Sequence, residues 1–92
     1  MRATKPTPTL TAAQIRAARA LLGWTGPKLA EKTGLALQTI RRMEGPIGPG
    51  RSYAANVDAV CHAFGEAGVH FLGVDEERGF GLGVCFKLAP HD

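Results

Sequence analysis

Residues 25–44, TGPKLAEKTGLALQTIRRME, constrain the fold more than any other part of the chain. They read as two short helices joined by a tight turn. Thr25 caps the first of the pair, because its hydroxyl can accept a bond from a free backbone N–H. Gly26 and Pro27 fall in the first turn, where a missing N–H costs little. Leu29 and Ala30 point to the core. Gly34 supplies the positive-φ turn that ends the helix. The next helix runs over 37–44, with Ile40 and Met43 inward. It carries Gln38, Arg41 and Arg42.

The flanking sequence supplies two more helices. Thr11 and Gln14 form a capping box in front of AAQIRAARALL, a run of strong helix formers. Ile15, Ala18 and Leu22 share one face there, with Leu21 beside it. Ala18 should lie where another helix comes close, and Gly23 stops the helix. After 37–44, Gly45, Pro46, Gly48, Pro49 and Gly50 predict a loop. Ser52 is expected to cap a fourth helix from about 53 to 66 or 67. Val57, Val60, Cys61 and Phe64 form its apolar stripe, and Gly68 ends it.

The apolar period then changes from 3.6 to 2. Residues 69–72, VHFL, are a strand candidate, and DEERG at 75–79 is a turn. Leu82, Val84, Phe86 and Leu88 alternate with Gly81, Gly83, Cys85 and Lys87, a strand with one bulky and one thin face. An isolated hairpin is barely stable in water. This one must lie on the helices or pair with a second copy. The expected class is mainly α: a four-helix bundle over 11–67 with a C-terminal β-hairpin over 68–92. Residues 1–10 are expected to form a flexible basic arm, too poor in apolar surface to order itself.

Composition narrows the function classes. Ninety-two residues suggest one domain, 45% hydrophobic and 21% charged. A net charge of +3 is weak evidence for a polyanion partner. The placement of charge says more. Arg2, Lys5, Arg16, Arg19, Lys28, Lys32, Arg41, Arg42 and Arg51 precede residue 52, whereas Asp58, Glu66, Asp75, Glu76, Glu77 and Asp92 follow it. A polyanion-binding surface therefore belongs to the N-terminal half. Cys61 and Cys85 lack metal-ligand spacing, and His62, His70 and His91 are scattered, so neither a metal nor a cofactor is expected. The cysteines read as reduced thiols of a cytoplasmic protein. No segment approaches the ~20 apolar residues of a membrane span, and no apolar run follows the N-terminal charges as in a signal peptide. No nucleophile–base pair, paired carboxylates or phosphate loop is present. GFGLG sits in strand alternation and opens no helix, so no enzyme is expected.

The plan of 25–44 is that of a helix-turn-helix, whose second helix enters the DNA major groove. Gln38 can pair with adenine through two bonds, and Arg42 with guanine O6 and N7. Thr39 suits a thymine methyl or a phosphate, whereas Leu37 can only touch thymine methyls or pack. Arg41 lies about 100° around the helix from Arg42, which aims it at phosphate. Lys28, near a helix N-terminus, and Arg51 are further phosphate candidates. Tyr53 serves equally as a phosphate ligand or a packing residue. Trp24 reads as a packing residue between the first two helices. The plainer alternative for Arg41 and Arg42 is a solvated helix face.

The block ALLGWTGPKLAEKTGLALQTIRRMEG, at 20–45, resembles the Cro/lambda-repressor-type helix-turn-helix family, also called XRE-type regulators. The resemblance covers roughly residues 11–67. The tail GVHFLG…GFGLGVCFK looks like that of small bacterial members in which a hairpin replaces the last helix. The resemblance implies a lambda-repressor-like helical bundle that binds palindromic operator DNA as a homodimer. It places the base contacts on Leu37, Gln38, Thr39 and Arg42. It also implies a structural ion pair between Arg19 and Glu44. Two positions depart from the family: Gly26 where a glutamine often meets a phosphate, and Ala36 where a serine or threonine often caps the recognition helix.

Two function classes follow. The first is a sequence-specific DNA-binding regulator that acts as a dimer, with Leu82, Val84, Phe86 and Leu88 in the dimer interface. The second is an interaction module, an antitoxin or adaptor, that offers the hairpin's bulky face to a protein partner.

Overall fold

The structure, a computed structural model, describes residues 10–88, the side chain of Arg51 excepted. Four helices are followed by a two-stranded ribbon: α1 (Ala12–Leu22), α2 (Gly26–Thr33), α3 (Leu37–Met43), α4 (Ala54–Glu66), β1 (Val69–Leu72) and β2 (Gly83–Phe86). No helix among the described residues is long and apolar enough to cross a membrane.

Local chemistry sets the helix ends. Thr11 and Gln14 close the capping box of α1. Leu10, placed by sequence in the arm, is only 7% exposed and shares the buried cluster with Ile15. Those two positions flank the cap as a hydrophobic staple does, fixing how the chain enters the helix. The rest of the expected arm, residues 1–9, lies outside the described residues. The Thr25 hydroxyl accepts the Lys28 N–H at 3.1 Å and starts α2. Gly23 and Gly34, at φ 68° and 75°, turn the chain out of α1 and α2. That left-handed conformation strains any residue with a Cβ.

The core joins all four helices and the ribbon. Ile15 and Ala18 of α1, Leu29 of α2, Ile40 and Met43 of α3, Val60 and Phe64 of α4, and Val69 of β1 are buried together. Ala18 has no exposure, as its predicted close approach requires. Phe64 joins two layers: Trp24 stacks on it at 5.6 Å, and Phe71 meets it edge-on at 5.7 Å.

Two local expectations are corrected. Ser52 does not cap α4. A single 3-10 turn, Pro49–Arg51, takes Ser52 as its own end, with the Ser52 N–H donated to the Pro49 carbonyl. Tyr53 becomes the first residue of α4's boundary and offers no side-chain cap bond. The second strand is also shorter than 82–88. The register Val69↔Phe86, His70↔Cys85, Phe71↔Val84 and Leu72↔Gly83 gives β2 only as many partners as β1 has residues, so Leu82 and Leu88 fall outside it. A separate bridge between Asp75 and Phe80 closes the hairpin loop.

The ribbon lies on the helices. Opposed residues share a face, and Val69, Phe71 and Val84 turn theirs to the core. Gln14, buried in α1, donates to the Leu72 and Gly83 carbonyls at 3.2 and 3.0 Å. Those two carbonyls belong to one register pair, so a single α1 side chain holds both strands.

Candidate nucleic-acid interface

The inward face of α3 is fixed by Ile40 and Met43, each 1% exposed. At about 100° per residue, Gln38 sits opposite them, with Arg41 and Arg42 roughly 50° to either side. All three are exposed. Thr39 and Leu37 are half-buried at the margins. Leu37 faces the start of α2: a Cβ built on Gly26 would stand 3.4 Å from its Cδ1. The glycine there lets the two helices approach, and the Leu37 side chain is drawn into that contact.

Electrostatics separate the arginines of α3 from those of α1. Arg19 meets Glu44 through two bonds, Nε to Oε2 at 2.7 Å and Nη2 to Oε1 at 2.8 Å. Its third bond goes to the Trp24 carbonyl at 3.1 Å. The hydrogen bonds it donates to Glu44 hold the Arg19 guanidinium above its ordinary pKa, against the smaller opposing effect of burial. Arg16, one turn earlier, donates to the Glu44 backbone carbonyl at 2.7 Å. Two α1 arginines thus grip the C-terminal end of α3, where the backbone carbonyls and helix dipole favour cations. Sequence reading missed Arg16 in this role. Its i, i+3 spacing from Arg19 places it on the same face and was the available signal.

Arg41 and Arg42 are left differently. Among the described residues neither pairs with a carboxylate. Lys28, by contrast, lies 3.3 Å from Glu31 in an exposed i, i+3 pair. Such a pair contributes little and exchanges readily for another anion.

Beside α3 is a cleft of about 240 Å³ lined by Thr39 and Arg42, by Ile47, Gly48 and Ser52, and by Tyr53 and Asn56. It brings together three residues singled out from sequence: Thr39, Arg42 and Tyr53. Tyr53 is 81% exposed and so is free of the packing role. Ser52 and Asn56 were missed, because only the loop's path sets them beside Arg42. Arg51 ends the 3-10 turn in the same loop, and its side chain lies outside the described residues. The α3 boundary residue Ala36 makes no side-chain cap bond.

Comparison with family models, curated proteins and solved structures gave no match. The functional reading therefore rests on residue chemistry, geometry and the resemblance of residues 20–45 described above.

The dimer-interface candidates divide by exposure. Val84 is half-buried against the chain's own core. Leu82, Phe86 and Leu88 are 45%, 51% and 93% exposed. Val74 and Phe80 add further exposed apolar surface on the hairpin.

Proposed function

We propose that the chain is a sequence-specific DNA-binding transcriptional regulator of the XRE type. Its α2 and α3 act as the helix-turn-helix, and α3 enters the major groove. The observation that carries this is the outward face of α3: Gln38, Arg41 and Arg42 stand exposed and, among the described residues, without carboxylate partners, on a helix clamped at its C-terminal end. A solvated surface helix needs no such clamp, whereas base reading needs side chains held in register with the groove. Gln38 and Arg42 read bases, with Thr39 and Leu37 at the edges of the footprint. Arg41, Lys28, Arg51 and Tyr53 bind phosphates.

Binding as a homodimer to a palindromic operator follows from the family plan, with half-sites one DNA turn, about 34 Å, apart. Leu82, Phe86 and Leu88 offer the exposed apolar surface that a dimer interface buries, continuing from Val84. The same surface supports a second reading, an antitoxin or adaptor that holds a protein partner on the hairpin. Variants at Gln38 and Arg42 separate the two. Loss of DNA with partner binding retained assigns DNA to α3 and the partner to the hairpin.

The direct test is titration with mixed-sequence duplex DNA at low and high salt. Log affinity should fall linearly with log salt, by about 0.9 per phosphate contacted. A Gln38→Ala/Arg41→Ala/Arg42→Ala variant should keep its helical circular dichroism and lose the binding. Undiminished binding by that variant rejects α3 as the DNA-contacting element.

A further inference from the structure

A second groove lies at the other end of α4 from the Arg42 cleft, about ten residues or ~15 Å along the helix. It measures about 270 Å³ and is lined by Trp24, Lys32, His62, Ala63, Glu66 and Ala67. We infer that this groove is a binding site for a small zwitterion with a flat apolar group, the chemistry of an aromatic α-amino acid. The inference stands apart from the DNA reading.

Trp24 makes a rigid aromatic wall. Its ring stacks on Phe64 at an interplanar angle of 20°, and Phe64 has no exposure, so the ring is held from the core side. Ala63 of α4 and Ala67, the residue that follows the helix, leave the space beside that wall unfilled. A flat ring in the slot would meet one aromatic face and two methyl groups. The volume lies near the ~300 Å³ lower end of small-molecule pockets, which suits a ligand of amino-acid size and excludes a dinucleotide.

Charge specifies the rest of the ligand. Lys32 and Glu66 line the same groove with opposite signs, yet they do not form an ion pair with each other. The Lys32 ammonium instead lies 5.7 Å from the Trp24 ring centroid, a cation–π contact. A ligand carboxylate would take Lys32 from that position and a ligand ammonium would face Glu66, each through a charge-assisted bond. The ring would then occupy the Trp24 face. His62, one turn before Glu66, adds a polar edge at the mouth. A simple aromatic acid would leave Glu66 unused, and a simple aromatic amine would leave Lys32 unused.

The single tryptophan makes the site its own reporter. The full chain is titrated with L-phenylalanine while Trp24 emission is recorded, and amide shifts at Ala63 and Ala67 locate the ligand. Parallel titrations use 3-phenylpropanoate, which lacks the ammonium, and phenethylamine, which lacks the carboxylate. Lys32→Gln and Glu66→Gln, both at exposed positions, test each charge. The expected result is saturable binding of L-phenylalanine, weakened at least about tenfold in either variant and for either analogue, the loss of one charged contact. No saturable change up to the solubility limit overturns the site. Equal binding of phenylpropanoate or phenethylamine overturns the zwitterion, as does L-phenylalanine binding that ignores both variants.

Discussion

Glu44 serves two arginines at once: its carboxylate binds Arg19 and its backbone carbonyl binds Arg16. Glu44→Gln should therefore leave the Arg19 guanidinium, 23% exposed, without its charged partner. The expected loss of stability is about 1–3 kcal/mol, read by denaturant unfolding. A variant as stable as the parent would contradict the clamp. On α3 the two arginines should divide the work. Arg42→Ala is expected to relax base preference, by about 1–3 kcal/mol at one position, whereas Arg41→Ala weakens specific and scrambled duplexes alike. Equal losses in both variants would contradict that division. Cys61 gives a pH test. Burial pushes its thiol pKa up, and the charge of Asp58 adds to the shift. Below the unfolded value of about 9 the thiol is protonated in both states and the shift has no effect on stability. Above it the unfolded chain ionises first, so stability falls as pH rises until the folded thiol ionises too. Cys61→Ala should remove that part of the alkaline slope in unfolding measurements. At this scale the sequence shows residue chemistry, such as the fitness of Gln38 and Arg42 for base edges. It does not show which cation is spoken for: Arg16 and Arg41 look alike until the fold places Glu44 beside one of them.

The helices were legible because their ends are local devices. Thr11 with Gln14, Thr25 with Pro27, and the glycines at 23 and 34 act within a few residues and need no tertiary contact. Where the next element competes for a residue, local reading failed: the 3-10 turn claims Ser52, and the four-residue β1 limits β2. The one uncapped boundary among the first three helices is Ala36. Ala36→Ser should supply the missing acceptor and stabilise the chain by about 1 kcal/mol, seen as a raised midpoint in thermal unfolding. An unchanged or lowered midpoint would show that the hydroxyl cannot reach the free N–H groups of α3.

For the whole molecule, the change in apolar period announced a ribbon joined to a helical bundle. It left open whether the ribbon rests on the helices or on a second copy. Gln14 and the inward Val69, Phe71 and Val84 decide that it rests on α1 and α4, a long-range outcome that no pattern within 69–88 encodes. Leu82, Phe86 and Leu88, which the helices leave exposed, remain available for self-association. Sedimentation at tens of micromolar should give a dimer, and Phe86→Ser with Leu88→Ser should shift it towards monomer; a parent chain that sediments as a monomer removes the hairpin interface. The most direct test of the DNA reading is selection of bound sequences from a random duplex pool at two salt concentrations. Recovery of an inverted repeat, with half-sites about one helical turn apart, is expected of a dimer that reads bases through Gln38 and Arg42. Recovery of nothing above background would contradict it, and would leave the helices as a scaffold for the hairpin.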